Sequence, residues 1–422
     1  MTNLVLLTNS YPFLPGDTFI RTEVAYLCQA FEQVHVIPAA NALSNIPAKA
    51  QPDLPLPPNA VFRLDLFEAI RQRARRVNRP AGLAAVFRDS RFRALIRGEL
   101  PLAARFGLRT LMRMLTAAQQ GFYIWQVLTQ MCAERSQPVI LYSYWMHHAA
   151  LGAAMLDLPD TLRVSRVHGF DLYVERRNPP YLPFHEQTIN RLDWVCPISQ
   201  DGLNTLSNLY PRLAHRLRLF RLGVEDGQKG SRPSPDGVLR VVSCSTLTPV
   251  KRVGLIADAL ALCNFPVHWT HFGRGEQRAA VEQKAAALPA HVQVELKGYV
   301  DNPTLLQHYR ENPVDLFLNV SSSEGLPVTL MEAASYGIPI AATSVGGVNE
   351  IVTSRSGWLL PANPTPQQIA DVLRAASELS LTQRQEMAYA AHQLWQERVN
   401  AAVQYPAFCQ FLKTQLAQKL AS

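Results

Sequence analysis

Short apolar runs recur along this chain, and between them apolar residues return every three or four positions, so strand-like and helix-like patterns alternate through both halves. In the first half the strand-like runs fall at Leu4 to Leu7, Val34 to Pro38, Val139 to Ser143, Val164 to Val167, Trp194 to Ile198 and Leu217 to Leu222. In the second half they fall at Leu239 to Ser243, His268 to Phe272, Val292 to Leu296, Leu316 to Val320, Ile338 to Ala342 and Trp358 to Leu360. Apolar strands separated by amphipathic helices predict parallel sheets covered on both faces, hence two α/β domains. The stretch 223–237 (GVEDGQKGSRPSPDG) is rich in Gly, Ser, Pro and charge and has nothing to bury, so it predicts an interdomain linker. The chain then divides into 1–222, this linker, 238–400 and a terminal segment 401–422, where Phe408, Phe411, Leu412 and Leu416 fit one helix face.

A length of 422 residues, 48% hydrophobic and 18% charged, suits a globular protein of two or three domains and excludes large-scale disorder. The opening MTNLVLLTNSYPFLPGDTF has no basic n-region, and no apolar run approaches membrane-spanning length, so a cytoplasmic protein is expected. The six cysteines are scattered without a Cys-x-x-Cys pair, which argues against a zinc site or a disulfide framework.

Charge changes the picture in one place. Arginines 63, 71, 73, 75, 76, 79, 88, 91, 93, 97, 105, 109 and 113 face only Asp65, Glu68, Asp89 and Glu99, a local excess that accounts for the whole formal charge of +8. Leu64, Phe67, Ala69, Ile70, Val86, Phe87, Phe92, Leu95, Ile96, Leu102, Phe106, Leu111 and Met114 interleave at helical spacing. Basic amphipathic helices over 63–113 would lie on an anionic membrane surface. A solvated basic face and a nucleic-acid patch are the rival readings, and no nucleic-acid motif accompanies the charge.

The densest chemical signal runs from Asn319 to Val352, NVSSSEGLPVTLMEAASYGIPIAATSVGGVNEIV. Glu324 precedes a Gly-Leu-Pro turn and Glu332 follows eight residues later, so a helix opening at the turn would carry both acids on nearly one face. Free N–H groups at such a helix entrance meet phosphate or sugar oxygens, and carboxylates accept from paired hydroxyls such as those of a ribose. Ser322-Ser323-Glu324-Gly325-Leu326-Pro327, Met331-Glu332-Ala333, Gly337-Ile338-Pro339, Gly346-Gly347 and Glu350-Ile351-Val352 together closely resemble the Glu-x7-Glu signature of retaining glycosyltransferases of family 4, the group 1 glycosyltransferases. The resemblance implies the GT-B fold: two Rossmann-like domains facing a central cleft, with a C-terminal helix crossing back to the N-terminal domain. It also implies an acceptor-binding first domain and a second domain for the nucleotide-sugar. The activity expected is transfer of a hexosyl group from a nucleoside-diphosphate sugar to a saccharide or lipid-linked saccharide in bacterial surface-polysaccharide synthesis.

By the same resemblance Glu324 holds donor-sugar hydroxyls, Glu332 the ribose, and the main chain of Gly325 and Leu326 the sugar or phosphate. Lys251, in SCSTLTPVKRVGL, falls on the family's diphosphate-binding lysine. Thr246 stands where the family has an arginine, leaving Arg252 as the candidate second cation. His168 in SRVHGFDLY matches the family's sugar-binding histidine, with Asp171 as a loop brace rather than a base. Tyr299 and Val300 fall where the base is seated, and Gly273 ends a family-like turn near the donor whose glycines do not complete a dinucleotide fingerprint. No Asp-x-Asp pair occurs, so neither a catalytic metal nor a cofactor is expected. On the acceptor side, loops after first-domain strands hold Asn9, Tyr11, Asp17, Thr18 and Glu23, then Tyr144, Trp145, His147 and His148, residue types that suit a sugar face ringed by hydroxyls. A non-catalytic nucleotide-sugar-binding partner subunit and a GT-B epimerase are the alternatives.

Overall fold

A computed structural model describes residues 3–14, 16, 19–44, 51–135, 137–227 and 232–421. Part of the predicted linker, 228–231, and the residues Asp17 and Thr18 lie outside that set. The chain forms two compact units, one built from residues through Phe220 together with those from Tyr405 onward, the other from Arg221–Gln404.

In the first unit, β1 (Asn3–Thr8), β2 (Gln33–Pro38), β3 (Ala60–Phe62), β4 (Val139–Ser143), β5 (Thr161–Val167) and β6 (Trp194–Pro197) form a parallel sheet in the order β3-β2-β1-β4-β5-β6. The second unit repeats that order with β7 (Leu239–Cys244), β8 (Val267–Phe272), β9 (Val292–Gly298), β10 (Leu316–Asn319), β11 (Ile340–Thr343) and β12 (Gly357–Leu360), arranged β12-β11-β10-β7-β8-β9. Each sheet is apolar along its central strands because helices cover both faces, as in the fully buried β4. The order reverses direction between β1 and β4 and between β7 and β10. At such a switch point the two connections leave on opposite faces, so a crevice opens beyond the strand C-termini.

Two strand expectations need correction. Leu217 to Leu222 is not a strand: its contact with the first sheet is a single bridge from Leu217 to Val195, with Arg218 and Phe220 N–H groups donating to Val195 and Pro197. Its alternation arises because Phe220 packs on Phe408 and Phe411 of the Ala401–Ala421 helix. Conversely, β3 is a three-residue edge strand after two prolines, too short for periodicity to register.

The arginine-rich segment folds into helices Leu64–Ala74, Pro80–Arg88 and Ser90–Ala104 and the start of Leu108–Ala133. Asp89 caps the third, accepting from Arg91 and Phe92 N–H groups at 2.9 and 3.2 Å. Most of the apolar residues expected on a lipid-facing surface are core instead. Phe67, Ile70, Val86, Phe92, Leu95, Ile96 and Met114 are buried in one cluster with β1 and β4, because these helices pack mainly on the Leu108–Ala133 helix and on one another and turn their wide apolar stripes inward.

Candidate functional site

In the second unit the switch point brings together the connections after β7 and β10. Ser322 N–H donates to the Val250 carbonyl at 2.8 Å, which ties the two loops. Across that tie the Lys251 ammonium donates to Glu324 Oε1 at 2.6 Å, and Asn319 Nδ2 donates to the same oxygen at 3.2 Å. Glu324 is buried while Lys251 stays partly open to solvent. The helix itself begins at Val328, so Glu324 sits in the loop ahead of it and is aimed by Lys251 and Asn319 rather than by helical periodicity. Gly325 lends its carbonyl to Gly347 N–H at 2.7 Å, and Leu326 is buried beneath the turn.

Glu332 lies on the Val328–Ser335 helix and accepts from Asn302 Nδ2 at 2.6 Å. Burial pushes its carboxyl up to about 7, and the Asn302 hydrogen bond only partly opposes that. Tyr299 is exposed, and the Arg274 guanidinium lies 4.9 Å from its ring centroid, forming a flat platform at the end of β9. Val300 follows, half-buried. Gly273 has φ +150°, and a Cβ there would stand 1.8 Å from the Ser245 carbonyl oxygen. That close approach lets Ser245 and Leu247 N–H groups bond Phe272 and Arg274 carbonyls, so the Gly273 turn supports the loop that presents Lys251. Arg252 is turned away from the pair. Its guanidinium donates to the Val320, Ser321 and Ala362 carbonyls and to Asn363 Oδ1 at 2.7 to 3.0 Å, bracing loops.

In the first unit the residues beyond β1, β4 and β5 gather. Asp171 staples two loops, accepting from His168 N–H at 2.6 Å and Met146 N–H at 2.5 Å. Burial pushes its carboxyl up to about 7 against those two bonds. His168 Nε2 faces the Tyr144 carbonyl at 3.0 Å; a carbonyl only accepts, so Nε2 carries the hydrogen. Burial, then nearby Arg166, lowers this imidazole to about 3, which keeps it neutral. Its ring lies 4.3 Å from that of Trp145. His147 and His148 stack with centroids 4.0 Å apart, both held neutral chiefly by burial. Tyr11 OH, Trp145 Nε1, His147 Nδ1 and His148 Nε2 are buried without a hydrogen-bond partner among the described residues. Glu23, the remaining acceptor-side candidate, lies in a buried charge network, and its Oε2 is likewise without a hydrogen-bond partner among the described residues. It is 1% exposed and accepts at Oε1 from Tyr142 OH at 2.7 Å and from Arg166 Nε and Nη2 at 3.2 and 3.1 Å. Asn302 and Asn319 carry no mark of these contacts in the sequence: nothing in local spacing points to a partner thirty residues away, though Asn319 sits at a predicted strand end.

Residues 225–394 match the family model described as glycosyl transferases group 1. The chain carries a group 1 glycosyltransferase domain. It contains both Lys251 and Glu324, and the first unit lies outside the matched range. The putative colanic acid biosynthesis glycosyltransferase WcaL of Escherichia coli K12 is 26% identical over 270 residues, covering 60% of this chain and 66% of that protein. The Salmonella typhimurium counterpart is 25% identical over 56% of this chain and 62% of its own length. The chain thus matches just under two thirds of these relatives. Among solved structures, Anabaena Alr3699/HepE in complex with UDP and glucose aligns with a TM-score of 0.61 at 15% identity, covering 98% of this chain and 100% of that one. The lipopolysaccharide outer core galactosyltransferase WaaB, in its apo form, aligns at 0.62 and 13% with the same coverage. At these identities the likeness is one of fold, and the fold around the group 1 domain is GT-B.

Proposed function

We propose that the chain is a retaining, metal-independent glycosyltransferase that moves a hexosyl group from a nucleoside-diphosphate sugar to a saccharide or lipid-linked saccharide in surface-polysaccharide synthesis, working at the cytoplasmic face of a membrane. The observation that carries this reading is the Lys251–Glu324 pair at the β7/β10 switch point. A diphosphate arriving beside Lys251 competes with Glu324 for the ammonium, which frees the carboxylate to accept from sugar hydroxyls and leaves the cation to stabilise charge on the departing phosphate. Glu332 with Asn302 would take the ribose hydroxyls and the Tyr299 platform the base. As the anomeric C–O bond breaks, the leaving phosphate oxygen takes the proton of the acceptor hydroxyl, which attacks from the same face.

On the acceptor side, buried polar atoms left without partners cost about 1–3 kcal/mol each. Tyr11, Trp145, His147 and His148 therefore suit hydroxyls of a bound saccharide. The colanic acid relatives support the polysaccharide setting, and the UDP- and glucose-bound neighbour supports a nucleotide-sugar donor.

The test is a panel of nucleotide sugars offered to the purified protein, read by thermal shift and by release of nucleoside diphosphate, with the anomeric configuration of any product assigned by NMR. One donor should raise the melting temperature and be turned over with retention, in EDTA as well as without it. A folded protein that neither binds nor hydrolyses any donor, or that needs a divalent ion for turnover, would overturn the corresponding part.

A further inference from the structure

The donor chemistry leaves one exposed corner unused. The Ser90–Ala104 helix ends in Leu100, Pro101 and Leu102, the chain turns through Arg105 to Gly107, and the Leu108–Ala133 helix begins. Leu100, Leu102, Leu108 and Met112 are 46, 43, 74 and 61% exposed. Gly107 has φ +86°, and a Cβ built on it would meet nothing within 4 Å, so the turn projects into open space. Arg97, Arg105, Arg109 and Arg113 flank these apolar tips and are all exposed. The only acid over residues 97–113 is Glu99, which is buried and accepts from Phe184 N–H and Gln187 Nε2, both at 3.0 Å.

Elsewhere in the segment Arg75, Arg76, Arg79 and Arg88 are exposed too, but among the described residues between 65 and 99 Phe87 is the one large apolar side chain exposed beside them, and the other arginines are engaged. Arg63 pairs with Asp65, Arg71 with Glu68 and Arg91 with Asp89, while Arg93 donates to the Phe87 and Arg88 carbonyls. Among the described residues Arg97, Arg105 and Arg109 make no such bond, and Arg113 reaches the Asn178 carbonyl at 3.5 Å. A purely solvated basic face has no use for four large apolar side chains in water, and a nucleic-acid backbone offers them no partner. An interface with apolar material beneath a layer of negative charge satisfies both sets at once.

We propose that this corner docks on an anionic phospholipid bilayer, Leu108 and Met112 entering the headgroup boundary while Arg97, Arg105, Arg109 and Arg113 take lipid phosphates. Glu99 fastens the corner to Phe184 and Gln187, and Arg113 fastens it to Asn178. These belong to the stretch that follows His168 and Asp171, and Phe170, between those two, stands 61% exposed under the Arg177 guanidinium. Docking therefore holds that loop beside the surface from which a lipid-linked acceptor arrives. This purpose rests on the acceptor reading above, whereas the docking itself is measured without any transfer.

The experiment is cosedimentation of the full chain with phosphatidylcholine vesicles, with or without phosphatidylglycerol. The protein should sediment only with the anionic vesicles and be released by salt, since screening shortens the reach of each charge to about 8 Å at physiological ionic strength. Arg105→Glu/Arg109→Glu should weaken binding by at least about tenfold. Leu108→Ser/Met112→Ser should weaken it severalfold and shift release to lower salt. Arg75→Glu/Arg88→Glu, the same charge change on exposed arginines outside the corner, should leave most binding intact. Hydrogen exchange on the unmutated protein should show vesicle protection centred on residues 100–112. Equal loss in all three variants, protection elsewhere, or tighter binding to a single-stranded RNA that ignores the Leu108/Met112 change would overturn the proposal.

Discussion

At the scale of single residues, Lys251 and Glu324 form an ion pair at 2.6 Å, which on the proposed reading the donor rearranges. On that reading, removing either side chain takes away donor placement or leaving-group stabilisation. Glu324→Ala and Lys251→Ala should each lower turnover by at least about a hundredfold while the protein still folds; normal turnover in folded Glu324→Ala protein would remove the assignment. Glu332 gives a pH signature. Its carboxyl titrates near 7 in the fold against an ordinary 4.5, so the folded state holds the extra proton. The sign follows: the group costs nothing below about 4.5, its cost grows as pH rises between the two values, and it levels off above about 7, on the order of 3 kcal/mol. Glu332→Gln keeps the Asn302 hydrogen bond and should flatten that decline, which melting curves of the free protein between pH 5 and 8 would register.

At the scale of elements, the site depends on how closely one loop lies on another. The connection after β7 rests on the turn after β8, and only glycine fits at 273 because a Cβ would overlap the Ser245 carbonyl. Gly273→Ala should force these loops apart, destabilise the second unit by about 2 kcal/mol or more, and raise the donor KM beyond what the stability loss explains. The check is a denaturant melt alongside donor titration. The Asp171 staple plays the matching part in the first unit, holding the loops after β4 and β5 by two backbone N–H groups.

At the scale of the whole molecule, the chain returns to its first unit after building the second. Fully buried Arg166 lies 4.3 Å from the Phe408 ring, Tyr142 packs on Phe408, and Lys419 pairs with Asp193 at 2.8 Å. The last helix therefore shields a buried charge network centred on Glu23. Ending the chain after Gln404 removes buried Phe408 and Leu412, worth about 1.5–3 kcal/mol each, and wets Arg166. Hydrogen exchange on such a truncation should show faster exchange in β4, β5 and β6 and unchanged exchange in β7 and β10. Uniform loss across both units would mean that the units do not hold separate cores.

The sequence by itself determined where eleven of the twelve strands run, because a strand covered on both faces must be apolar and its period is local. It also determined that Lys251 and Glu324 sit just beyond strand ends, since each lies within a few residues of its own strand. Which way the side chains turn was decided only in three dimensions. Arg252 spends its donors on carbonyls 68 to 110 residues away, Glu23 meets Arg166 across 143 residues, and Glu332 meets Asn302 across 30. The arginine-rich helices show the same division. Their amphipathic spacing is plain in the chain, but an apolar stripe fits a core as well as a lipid surface. Strand order, which sets what each helix packs on, chose the core for most of it and left the Leu100–Met112 corner outside, because long-range pairing depends on the packing of whole elements and leaves no mark on local periodicity.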